Sequence, residues 1–209
     1  MSNPLILRYF VALIMLILTS IFSVLVINYD LAYLYDENEL MEYVQLGTLM
    51  IVGIIFWLQA NENKWETVQS FMPALRLLAI LGAALFFSFI VREMNVKKTE
   101  IDWLVFIVDG QGYKALMLLL WIPLLTKAYR HKDTYIAFIK EGYLSPTSVF
   151  LAMAVVFLLG GALFDKEIIV VECFRFYEEV LEMNGYDFML LAALSFHRDM
   201  LKIASATEK

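Results

Sequence analysis

An all-α membrane bundle of six transmembrane helices is the fold class this sequence predicts, and three observations carry the prediction. The 209 residues are 61% hydrophobic and 18% charged, with a mean hydropathy of +0.71. Soluble domains sit nearer 45–50% apolar and about 25% charged. The apolar residues also come in continuous runs close to the length of about 20 residues that a bilayer demands. Such runs exclude an outer-membrane barrel, whose strands would alternate. Finally, the connections are short, with no internal repeat and no low-complexity tract, so residues 1–209 read as one transmembrane domain.

Taken in order, the first span runs over about 9–27. Arg8 followed by some 20 apolar residues, with no small-x-small cleavage site, reads as an uncleaved span rather than a signal peptide. The second covers about 42–59. The third, about 73–92, begins at Pro73, a favoured first-turn residue, and ends at Arg92. The fourth, about 106–126, contains Pro123 and the glycine-rich stretch Asp109-Gly-Gln-Gly-Tyr-Lys114. Between it and the fifth, about 147–164, lies a basic connection whose middle, Asp133 to Glu141, fits a short surface helix. The fifth ends near Gly160-Gly161, and Gly82-Ala-Ala lies in the third; both are close-packing signals between helices. The sixth, about 178–197, is irregular. Phe188 to Phe196 is too short to span alone, so the helix must take in Asp187 and Glu182. Ionisable residues at that depth are costly and mark function by default.

Charge sorting gives an orientation. With both termini cytoplasmic, ten basic residues lie inside and six outside, the direction of the positive-inside rule. This places the chain in a bacterial inner (plasma) membrane as a multi-pass protein. Sixteen of the 22 acids then fall at the outer helix ends. Acids contribute little to topology, so that asymmetry asks for another cause, such as an outward-facing polar site.

Four clusters meet on that side. Glu39, Glu42 and Gln45 enter the second span within a sector of about 120°. Ser88, Arg92 and Glu93 close the third, Ser88 and Arg92 sharing a face. Asp109 and Lys114 open the fourth, where Lys114 lies roughly 20 Å from the inner end. Arg175, Glu178, Glu179, Glu182 and Tyr186 form one stripe about 100° wide. Asp187 points about 140° away from Glu182, near mid-membrane. Three readings stay open: an ion-pair network that fixes helix register, a hydrated pocket for a ligand or for chemistry, and a charged face covered by a partner subunit.

The available chemistry is narrow. Glu39 with Glu42, and Glu179 with Glu182, are carboxylate pairs three residues apart, but a di-metal site also needs Glu-x-x-His on two helices. His131 and His197 both fall on the inner side, so no haem, zinc or di-iron centre is expected; an all-oxygen Ca²⁺ or Mg²⁺ site is chemically open, and no metal or other cofactor is assigned. No nucleophile elbow is present, and no outer histidine could activate a serine. The lone Cys173 can form no internal disulfide. A net charge of −6 argues against nucleic acid as a partner.

Three motifs together resemble a family of bacterial multi-pass membrane proteins to which no activity is attached. They are Glu37-Asn38 through Glu42 to Gln45, Arg92-Glu93-Met-Asn95, and Glu178-Glu179 through Glu182 to Gly185-Tyr186. Asn95 stands where the family has an acid, and Asp109 to Lys114 where a histidine would be looked for. The resemblance supports the outer residues as a group and implies no reaction.

The sequence thus predicts a membrane protein that binds, and in one version modifies, a lipid or small polar ligand on its periplasmic side. The binding set is Glu39, Glu42, Gln45, Arg92, Glu93, Asp109, Lys114, Arg175, Glu178, Glu179 and Glu182. Glu182 and Asp187 are the carboxylates placed to act as a general base. The alternatives are a proton- or cation-coupled transporter through Asp187, Glu182 and Lys114, and an accessory subunit of a membrane complex. Partners would be membrane lipid, and a second copy of the chain or another membrane protein.

Overall fold

The computed structural model describes residues 4–29, 31–35, 40–61, 65–94, 102–108 and 110–208. Among them the chain is all helical, without a strand. The helices are α1 (Pro4–Tyr29), α2 (Leu40–Gln59), α3 (Met72–Glu93), α4 (Asp102–Val108), α5 (Gln111–Tyr129), α6 (Lys132–Gly142), α7 (Pro146–Asp165) and α8 (Phe174–Thr207).

Four of these, α1, α2, α3 and α7, are long and apolar enough to cross a membrane. They mark the chain as a membrane protein. The six expected spans are thus matched in part. Helix α5 carries Gln111 and Lys114 in its first turn and Lys127 in its last, and α8 carries the charged stretch Arg175 to Asp187. Both dilute the hydropathy that lipid selects for.

Boundaries shift at two places. The expected fourth span starts inside α4, and the chain breaks before α5 begins at Gln111. A Cβ at Gly110 or at Gly112 would lie 2.7 Å from the Phe106 carbonyl oxygen. Only glycine lets the backbone fold back that closely. The last helix extends ten residues past the expected end at 197, because a change to polar sequence does not by itself terminate a helix. Proline opens α3 and α7, and Ser145 caps α7 by accepting the Ser148 amide at 3.3 Å. The expected surface helix is α6.

The chain divides into two compact units. The first holds residues 1–48 and 145–196, so α1, the start of α2, α7 and most of α8. In it α7 and α8 form an antiparallel pair. Phe164 stacks on Tyr177 at 5.7 Å near one end, and Phe157 meets Phe188 at 5.2 Å further along. Small residues set the approach. A Cβ at Gly185 would come within 2.9 Å of Leu158 and 3.4 Å of the Ala154 carbonyl. On the opposite side of α8, Phe176 and Met183 join Phe22, Val26, Leu34 and Met41 in an apolar core.

The second unit holds residues 49–144 and 197–209. Phe56 of α2 stacks on Phe86 of α3 at 5.5 Å. Gly82 provides the space, since a Cβ there would lie 2.7 Å from the Phe56 ring. Trp121 of α5 donates its indole N–H to Ser88 of α3 at 3.0 Å. Trp65 is fully buried, donates to the Gln59 carbonyl at 2.7 Å and packs 4.8 Å from His197. Helix α6 docks through Phe138 on Phe71 and through Tyr135, whose hydroxyl donates to the Ala74 carbonyl at 3.0 Å.

Two outcomes follow from this packing. Gly185→Val forces a branched side chain against Leu158 and the α7 backbone. It should cost about 1–3 kcal/mol, read as a lowered thermal midpoint in detergent. Burial raises the Tyr135 hydroxyl from 10.0 to about 12. Below 10 the tyrosine is protonated folded and unfolded; above it the unfolded chain binds fewer protons, so stability falls as pH rises towards 12. Tyr135→Phe should lose about 1 kcal/mol at neutral pH and show a smaller alkaline loss in the same thermal assay.

Candidate functional site

The first unit gathers much of the outer constellation around α8. Gln45, itself 1% exposed, reaches from α2 to Glu179. Its amide nitrogen donates to the Glu179 carbonyl at 3.1 Å and to the Glu179 carboxylate at 2.7 Å. One side chain therefore holds both the backbone and the acid of the facing helix. A charge-assisted bond of this kind is roughly twice as strong as a neutral one. Glu42 lies one turn before Gln45 and is half-buried, as are Arg175, Glu178 and Glu179.

Glu182 is 8% exposed and faces α7. A Cβ on Gly161 would stand 3.0 Å from the Glu182 Cγ and 3.4 Å from the Glu178 carbonyl. Gly161 is thus the recess that receives the Glu182 stem. Glu178 and Glu182 share the α7 side of the helix, while Glu179, about 100° round, meets α2. The stripe expected from spacing is real, but it is divided between two neighbours.

Asp187 is 6% exposed, and its Oδ2 has no hydrogen-bond partner among the described residues. It lies about 80° round the helix from Glu179 and about 60° from Asn184. Asn184 is a contact the spacing argument missed. Its amide nitrogen donates to Thr19 of α1 at 3.1 Å and to the Val180 carbonyl at 2.7 Å. The signal was available, since an asparagine inside an expected span must find a partner; weighing only charged groups passed it over.

The two candidate cations stand in the other unit. Arg92 lies in the last turn of α3 and Lys114 in the first turn of α5, and both are exposed. Glu93 lies on α3, with its side chain outside the described residues, and Glu39 and Asp109 lie outside them altogether. Among the described residues no three His, Cys, Asp or Glu side chains are grouped as a metal would need.

What this arrangement offers chemically is acceptor-rich. Along this stretch of the unit the acids Glu42, Glu178, Glu179 and Glu182 outnumber the cation Arg175, so the net field attracts positive charge. Comparison with protein families, with curated proteins and with solved structures returns no match, so the likeness in motifs noted above stands on those motifs alone.

Removing the Gln45 clamp gives a signed prediction. Gln45→Leu should cost about 1–3 kcal/mol by removing both hydrogen bonds to Glu179. Gln45→Glu sets a second carboxyl where the amide stood, 2.7 Å from the first. The two acids repel where the amide had donated, so the deficit should exceed that of Gln45→Leu. Thermal midpoints of both variants in detergent at neutral pH check this.

Proposed function

We propose that this chain is a six-span inner-membrane protein with cytoplasmic termini, in which the acidic site on α8 binds a small polar ligand or lipid headgroup carrying positive charge. In this reading α5 and α8 are the two further spans, and the site opens to the periplasm. The observation that carries it is Glu182, a carboxylate kept nine-tenths buried within a helix expected to cross lipid and seated over a glycine. Placing a carboxylate there costs free energy that a purely structural helix could avoid with leucine. Glu42, Gln45, Glu178 and Glu179 supply the surrounding acceptors, and Arg175 limits how much positive charge the site takes. Modification of the ligand would fall to Glu182 or Asp187 as general base.

A second reading, a proton- or cation-coupled transporter, is favoured by Asp187. A buried carboxyl oxygen without a hydrogen-bond partner among the described residues, in a helix expected to cross lipid, is the kind of group that proton relays use.

A thermal-shift series with ethanolamine, choline, putrescine, Mg²⁺ and Ca²⁺ tests both. At least one should raise the midpoint of the wild-type chain. Glu182→Gln should abolish that shift while Asp187→Asn keeps most of it. No shift with any of the five, or an equal shift in Glu182→Gln, sinks the binding proposal. Proton uptake into vesicles that Asp187→Asn eliminates would favour the transporter.

A further inference from the structure

We infer that α6 lies flat in the membrane interface and beds an apolar stripe into the lipid surface. This contact depends on α3 crossing the membrane, not on the acidic site. Helix α6 has 11 residues, about 16 Å, and a hydrocarbon core is about 30 Å thick, so it cannot cross. Its level is set by α3, which is long and apolar enough to span. Phe138 packs on Phe71 at 5.4 Å, and the Tyr135 hydroxyl donates to the Ala74 carbonyl at 3.0 Å. Phe71 caps α3 and Ala74 lies in its first turn, so α6 is held at the end of a span.

Periodicity divides the helix into three sides. Tyr135, Phe138 and Gly142 fall within a sector of about 60°, the side that carries the contacts to α3 and the two buried residues. Ile136, Ile139 and Tyr143 fall within a second sector of about 60°, about 100° round from the first. These three are 49%, 67% and 65% exposed. Single exposed apolar residues are ordinary, but three in register on one side make a stripe. The remaining side carries Asp133, Lys140 and Glu141, all exposed. One side thus meets protein, one is apolar and bare, and one is polar.

The charges of α6 are arranged as an interfacial helix requires. Lys132 stands at one end of the stripe and Lys140 borders it, about 40° from Ile136. Asp133 and Glu141 lie further round, about 60° and 140° from Ile136. A lysine stem lies along apolar surface while its ammonium reaches the headgroups, a reach that the short carboxylate side chains lack. Tyr129, exposed at the end of α5, places its ring 5.0 Å from the Lys132 ammonium. Tyrosine of this kind is what membrane–water boundaries select. A protein partner fits the stripe less well, since a stable contact engages about 20–30 residues a side and the stripe offers three. Lipid needs no such area, and the end of α3 brings it to the same level.

Single nitroxide labels on the full chain test this, at Ile136→Cys, Ile139→Cys, Asp133→Cys and Glu141→Cys in a Cys173→Ser background. The vesicles are phosphatidylcholine with phosphatidylglycerol. All four positions and Cys173 are exposed, so the labels leave the packing intact. Collisions with dissolved oxygen report lipid, and collisions with a water-soluble nickel chelate report water. Oxygen should win several-fold at Ile136→Cys and Ile139→Cys, at a depth of about 5–10 Å into the headgroup–acyl boundary. The chelate should win at Asp133→Cys and Glu141→Cys. Chelate collisions as frequent at Ile139→Cys as at Glu141→Cys put the stripe in water and overturn the inference. So do few collisions with either reagent at Ile139→Cys, which would assign the stripe to a protein partner.

Discussion

A carboxylate turned toward hydrocarbon is costly, and α8 places Glu178, Glu179, Glu182 and Asp187 within ten residues of one another. The first unit is built around hiding them. Each neighbour of α8 is chosen for one sector: Gly161 of α7 for Glu182, Gln45 of α2 for Glu179, Thr19 of α1 for Asn184. The apolar remainder of α8 fills the core with Phe176 and Met183. Helices α1 and α7 then carry the lipid-facing burden. Ile17 and Ile21 on α1, and Val156 and Leu159 on α7, stay exposed because the inner sides of those helices are committed to α8.

The long apolar elements were legible from the chain. Length, continuous hydropathy and the two opening prolines locate α1, α2, α3 and α7, because those signals are local. The stretch Gly110-Gln-Gly112 misled for a physical reason: glycine is permitted at a helix start and required at a tight corner, and sequence does not separate the two. The stripe on α8 was legible from 3.6-residue periodicity. Its division between α7 and α2 was not, since which helix faces which sector is set by packing. Gln45 was named as a site residue, but nothing in its spacing singled out Glu179 as its partner.

Arg92 and Lys114 show where charge counting stops. Pairing them with the acids of α8 follows if every ionisable group near the outer boundary enters one chamber. The acids of α8 belong to one compact unit, and these two cations, both exposed, belong to the other. Within the first unit the acids outnumber the basic groups beside them, which gives that site its sign. Long basic side chains at helix ends can reach water by snorkelling, so their sequence position alone does not assign them to a site.

Glycine provides the sharpest contrast in packing. Gly82, Gly161 and Gly185 each sit under a side chain of a neighbouring helix: Phe56, Glu182 and Leu158 come within about 3 Å of where a Cβ would be. These glycines exist to be filled. Gly53 also lies within a long apolar helix, yet among the described residues the nearest approach to it is 3.6 Å. The difference lies in what stands opposite: among the described residues only the Phe86 Cβ approaches Gly53.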